Sequence, residues 1–276
     1  AFNTVLGKVY ENVSFPLKQK PVFATNPENP DPKEPEGKAQ YWYYDSSKSS
    51  LYLKQNQTDG KYYLESPKGG DGNPTTDSKS QNISSPNSAN GTHGFFPFNQ
   101  TVSTVGASQY NYGFGAKLQF DFTLTEDGNV VVGKDTSGSD IKVPIKFFFS
   151  GDDDVWVYID GELVLDVGGA HGKASGLLEF GQTENEDANT VTPYVSSNKN
   201  TDSNDTMVYE DYGSGETAKT VKYNGQSITF NKKGTTKTLK KQSTHTLTMY
   251  YMERGMWESN MALAFNFPDH NELQVE

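Results

Sequence analysis

The chain has 276 residues, and 35 acidic against 24 basic side chains leave a net charge of −11. That balance argues against phosphate backbones and anionic membrane surfaces as partners. Cysteine is absent, which excludes a disulfide framework, a zinc–thiolate site, a cysteine nucleophile and an internal thioester.

No apolar run is long enough to cross a bilayer, so no membrane insertion is expected. A chain that starts Ala1-Phe2 without a signal peptide reads as a mature or trimmed fragment. Val5 to Phe15 alternates weakly and predicts a strand, and the proline-rich stretch 26–35 predicts an exposed loop. Three aromatic segments follow at regular spacing, Gln40 to Asp45, Ser50 to Gln55 and Lys61 to Ser66, and predict a meander. Their tyrosines suit packing better than a sugar platform. Residues 67–92 collapse into Gly, Ser, Asn, Thr and Pro and predict a long loop.

Gly94 to Phe98 restores apolar character. Gly113 to Leu124 sets Leu118, Phe120, Phe122 and Leu124 on one face, which predicts a half-buried strand. The stretch 147–169, FFFSGDDDVWVYIDGELVLDVGG, is the most informative of the chain. Two short apolar runs joined by Asp160-Gly161 predict a hairpin with a type I′ turn. Counting back from the turn pairs Ile159 with Glu162, Trp156 with Leu165 and Val155 with Asp166. Val155, Val157 and Ile159 share one face, Trp156 and Tyr158 the other. Both faces are apolar, which predicts a central hairpin covered on both sides.

Asp152, Asp153 and Asp154 stand at the mouth of that hairpin. Most such clusters are solvated turns. The sharper reading is a cation site, because a hard cation such as calcium takes six to eight oxygens from carboxylates and carbonyls. The spacing is not that of an EF-hand, so further ligands must come from a distant loop.

Downstream, His171 lies in a glycine-rich loop, Ser175 to Phe180 predicts a strand, and residues 183–211 read as an acidic surface excursion. A lysine-flanked hairpin is expected over Thr220 to Thr238. In Thr244 to Met252 the residues His245, Leu247, Met249 and Tyr251 share a face, and Met261, Leu263, Phe265 and Phe267 line the closing strand. The loop between these strands, 253–260, carries Glu253, Arg254, Met256, Trp257 and Asn260. A loop tryptophan flanked by charge is unusual for a mere connection. No long helix is expected, and short strands with Gly and Asn turns predict an all-β fold, a sandwich or barrel. The aromatic strands before residue 67 have too little core of their own, so a single domain over 1–276 is expected.

Two segments, FFFSGDDDVWVYIDGELVLDVGGAH and YYMERGMWESNMALAF, together resemble the bacterial fibro-slime domain. It is related to the sugar-binding domain first named from anthrax protective antigen, and the resemblance runs from about Gly94 to Pro268. The style of the surrounding loops is similar to cell-wall-anchored adhesins of Gram-positive bacteria. The resemblance implies a lectin-like β-sandwich, and an extracellular, monomeric domain of a larger surface protein that binds a glycan. It also implies calcium held by Asp152 and Asp153 across a cis peptide. Asp154 stands where the relatives have glycine, and Glu253 about where fungal lectins have asparagine. Trp257 is then the stacking residue, with His171, Arg254, Met256 and Asn260 beside it. Two alternatives remain: a structural stalk domain in which calcium only rigidifies loops, and a protein-binding adhesin. A glycoside hydrolase needs two opposed carboxylates, which adjacent aspartates do not provide, so no enzymatic activity is expected.

Overall fold

Alternating burial in Phe114–Thr123, with every second side chain inside, builds the strand around which one sheet is assembled. The computed structural model describes residues 8–21, 40–46, 51–65, 95–98, 111–134, 137–151, 154–169, 174–183, 187–196, 210–212, 218–223, 226–241, 243–254, 259–271 and 273–275. Among them the strands are β1 (Val13–Ser14), β2 (Lys18–Pro21), β3 (Gln40–Asp45), β4 (Tyr52–Gln55), β5 (Tyr62–Glu65), β6 (Phe114–Thr123) and β7 (Asn129–Lys134). Next come β8 (Asp140–Pro144), β9 (Lys146–Gly151), β10 (Asp154–Ile159), β11 (Glu162–Asp166), β12 (Ala174–Gln182), β13 (Ala188–Ser196) and β14 (Glu210–Tyr212). The last are β15 (Ala218–Tyr223), β16 (Gln226–Lys232), β17 (Lys237–Lys240), β18 (Thr244–Glu253), β19 (Met261–Phe265), β20 (Asp269–His270) and β21 (Gln274–Val275).

The first sheet runs β11-β10-β18-β6-β21-β1-β5-β4, with β20 also on β6. The second runs β14-β15-β16-β13-β12-β9-β19-β3-β2, with β17 also on β13, and β7–β8 is a separate hairpin. The two sheets share one core: Phe120 stacks on Phe265 at 4.7 Å, and Phe122 meets Phe180 edge-on at 5.8 Å. Each fully buried phenylalanine contributes about 1.5–3 kcal/mol by leaving water. The fold is an all-β sandwich, with no helix among the described residues. A smaller cluster of Phe148, Leu177, Tyr194 and Phe230 lies on the far side of the second sheet, so β9 and β12 are buried on both faces.

Several expectations are corrected. The central hairpin lies at the edge of the first sheet, β11 outermost, with Trp156 and Tyr158 half-exposed. Its turn has positive φ at both Asp160 (52°) and Gly161 (80°), and Ile159 faces Glu162. Beyond that the register slips: Tyr158 faces Leu163, Val157 faces Leu165 and Trp156 faces Asp166. The extra residue, Val164, is a β-bulge that lets Val164 and Leu165 both turn inward. Val155 exchanges backbone hydrogen bonds with Val167 rather than facing Asp166.

The expected meander is divided between the sheets. β3 pairs with β19 in the second, whereas β4 and β5 extend the first. Val13–Ser14 is the only strand formed within Val5 to Phe15 among the described residues. The supposed excursion 183–211 holds β13, a strand paired with β12 along eight residues. Val191 and Tyr194 bury its apolar positions while Asn189 donates to the Thr125 carbonyl, so a polar composition hides a core strand.

Candidate functional site

At one end of the sandwich the chain passes twice from one sheet to the other, and the strand ends that flank the two passages are paired. β9 ends at Gly151 in the second sheet and β10 starts at Asp154 in the first. β18 ends at Glu253 in the first and β19 starts at Met261 in the second. Gly151 faces Met261, and Asp154 faces Met252. A Cβ on Gly151 would fall 2.6 Å from the Asn260 carbonyl oxygen, so only glycine admits this approach. Gly151 and Asn260 are thereby neighbours, although about a hundred residues separate them.

Glu253 ends the inward face of β18 and is almost wholly buried. The Tyr251 hydroxyl donates to its Oε2 at 3.0 Å and lies 3.1 Å from Ser259 Oγ. Ser259 Oγ donates to the Phe95 carbonyl at 2.6 Å, and the Phe95 N–H donates to the Ser259 carbonyl. This chain of bonds pins the return loop to the segment Phe95–Phe98. It was not foreseen, because only the alternation of Tyr251 was legible.

Asp154 has the outward parity of its strand, opposite to Val155, and is nonetheless buried. Its Oδ1 accepts the Gly169 N–H at 2.7 Å, and its Oδ2 lies 2.6 Å from Arg254 Nε. Strand alternation therefore sets Asp154 and Glu253 on opposite sides of the first sheet, and Arg254 is bound to Asp154. Asn260 is half-buried beside Gly151. Asp152, Asp153, His171, Met256 and Trp257 lie outside the described residues, as does the expected cis peptide. Among the described residues no group of three His, Asp or Glu side chains converges on a cation position. Of the expected calcium ligands the described residues include Asp154 and Glu253, and Glu253 Oε2 already accepts the Tyr251 hydroxyl. Asp154 does not fit while both of its oxygens are engaged.

A second polar cluster closes the opposite end of β10. Asp160 Oδ2 lies 2.6 Å from His245 Nδ1, and Asp160 Oδ1 accepts the Thr246 N–H. Ser243 Oγ is 3.0 Å from His245 Nε2, the outline of a serine–histidine–aspartate relay. However, Ser243 donates its proton to the Lys240 carbonyl, and the same carbonyl lies 2.8 Å from Nε2. The serine is not activated, and the cluster clamps the hairpin turn to β18.

Parts of the chain are similar to proteins of Dictyostelium discoideum. Protein psiI is 39% identical over 87 residues, which cover 30% of this chain and 10% of that protein. Protein psiO is 42% identical over 66 residues (24% of this chain and 7% of that protein), and protein psiP 41% over 69 residues (25% and 7%). The matched stretch thus spans a tenth or less of the curated relatives. No family model and no solved structure matches the chain. These eukaryotic relatives overturn the resemblance to a bacterial fibro-slime domain, and with it the expected Gram-positive adhesin setting.

Proposed function

We propose that the chain is a non-enzymatic, extracellular recognition module that binds carbohydrate through calcium at the end where the two passages meet. The observation that supports this reading is the close approach of Gly151 to the Asn260 carbonyl, which brings together the residues that flank Asp152-Asp153 on one side and the stretch 255–258 on the other. Acidic oxygens from one loop and a tryptophan from its neighbour are what a cation-bridged sugar site requires. When bound, calcium would offer open coordination positions to a sugar diol, and Trp257 its ring face. The chain's own contribution is to fix the loops: the Tyr251–Ser259–Phe95 bonds hold one, and the Asp154–Arg254 pair holds the other. The net charge of −11 supports a neutral ligand over nucleic acid.

One observation favours a purely structural second reading. Arg254 already balances Asp154, so the end of the sandwich is partly neutralised without a metal. Calorimetric titration with calcium, followed by a glycan array with calcium or chelator, separates the two. On the first reading Asp153→Asn weakens calcium and glycan together, and Trp257→Ala weakens glycan alone. A blank array, with or without calcium binding, supports the structural reading, and absence of calcium binding overturns the first.

A further inference from the structure

Large apolar side chains rarely stand exposed together on a soluble domain unless something covers them. Among the described residues six do: Val9, Phe98, Val131, Leu163, Tyr250 and Met252. Four of the six, Val9, Phe98, Tyr250 and Met252, line a single cavity of about 470 Å³.

The origin of the cavity is a gap in the first sheet. β21 pairs with β6 only at Leu118 and Gln119. Beside the remaining part of β6, Phe114 to Lys117, the cavity opens towards Val13 of β1, Leu64 of β5 and Leu53 of β4. The inward-facing Phe114 and Ala116, both buried, line its inner wall. Tyr10 and Phe98 form part of the mouth, their rings 5.8 Å apart. The floor is firm, because Phe95 packs against Phe114 and Tyr251 at 5.8 Å each.

Among the described residues that line it, the cavity carries two lysines, Lys8 and Lys117, and no carboxylate, in a chain of net charge −11. Lys8 Nζ lies 5.0 Å over the Tyr10 ring, a cation–π contact that holds it near the mouth. Lys117 faces Tyr250 across the β6–β18 pairing. A cavity within the 300–1,000 Å³ usual for small ligands, apolar in its body and carrying a few placed cations, selects an amphipathic anion.

We propose that this cavity binds a small carboxylate with an acyl or aromatic body, the carboxylate meeting Lys8 and Lys117 and the body lying between Phe98, Phe114 and Met252. The site shares no proposed calcium ligand with the sandwich end and does not rest on the carbohydrate reading. The occupant is a small molecule because the space, about 470 Å³, is of the size that admits one, and a second copy of the chain is an outcome of the test.

The test titrates the full chain with octanoate and with octanol, using displacement of anilinonaphthalene sulfonate fluorescence, in chelator so that calcium plays no part. Octanoate is expected to bind roughly tenfold more tightly than octanol, the ratio expected of one charge-assisted contact. Lys117→Gln and Lys8→Gln should erase that preference without weakening octanol. Val9→Asp, a change at an exposed position, should weaken octanoate about fivefold or more, with melting temperature unchanged. Equal affinity for the two ligands, or a preference that survives both lysine changes, overturns the proposal. Failure of the dye to bind also overturns it, as does a concentration-dependent dimer that octanoate does not dissociate.

Discussion

Strand β10 begins with one aspartate and is followed directly by another, each paired with a residue in or next to β18, and the two pairs are built the opposite way round. At the start, Asp154 is buried (side chain 5% exposed) and its partner Arg254 is half in solvent (52%). At the end, Asp160 is half in solvent (47%) and His245 is buried (5%). In the first pair the buried member is a carboxylate that also accepts a backbone N–H. In the second it is an imidazole whose other nitrogen keeps the Lys240 carbonyl and the Ser243 hydroxyl beside it. Removing the exposed partner therefore leaves a buried carboxylate with one hydrogen bond at one end and a ring still held by two neighbours at the other.

The largest effect should follow Arg254→Ala. It leaves the Asp154 carboxylate buried with only the Gly169 N–H, at a cost of about 3 kcal/mol, near the lower end for broken buried pairs because water can reach the vacated side. Urea denaturation would measure it, and a loss below half that value would mean that Asp154 is already solvated. The two glycines of these ends come next. Gly151→Ala pushes a Cβ against the Asn260 carbonyl and should cost about 2 kcal/mol as overpacking. Gly161→Ala has open space around it and pays only for positive φ, about 1 kcal/mol. Equal losses would show that the two passages yield easily, which the tight end cannot do if it positions a site.

Asp160→Asn should cost about 1 kcal/mol, since asparagine tolerates φ 52° and keeps the hydrogen bond from Thr246. A double-mutant cycle with His245→Gln should show coupling, and the corresponding cycle of Asp154→Asn with Arg254→Gln should show more. A reversed order would mean that burial of the carboxylate is not what distinguishes the ends.

The same comparison shows what the sequence reveals. Asp160-Gly161 is legible because few residue pairs accept positive φ twice in succession, and Val155, Val157 and Ile159 are legible because period-two alternation has one solution. Leu163, Val164 and Leu165 are all apolar, so nothing local marks which is the extra residue of the bulge. β13, with its Asn, Thr and Pro, looks like a loop because its partners β12 and β17 supply the order that its own composition withholds. Three evenly spaced aromatic strands predict a meander equally well whether they pair with one another or join two sheets. The aspartate triplet marks the candidate site, but the Arg254 that holds Asp154 and the Ser259 linked to Glu253 through Tyr251 are tertiary facts. The same hairpin drew the reading towards a bacterial family, and the Dictyostelium relatives correct it. A pattern of apolar and acidic residues reports burial more reliably than ancestry.

The smallest effect concerns a third aspartate, one whose lysine partner is half in solvent. Asp127 lies in the turn that follows β6, bound to Lys142 Nζ at 2.5 Å and to the Asn129 N–H at 3.1 Å. Partial burial pushes its carboxyl upwards, but the hydrogen bonds from Lys142 and Asn129 and the lysine charge outweigh this and hold it below the ordinary 3.8. A carboxyl lowered on folding contributes stability that is present above its unfolded value and is lost as pH falls through its folded value. The wild type should therefore melt slightly above Asp127→Asn at pH 6, and the gap should close as pH drops below about 3.8. Melting curves at several pH values between 6 and 2.5 check this, at low salt because an exposed lysine is easily screened. A gap that stays constant with pH would mean that the turn depends on the shape of Asp127 and not on its charge, leaving Asp154 and Asp160 as the only aspartates in the comparison whose ion pairs matter.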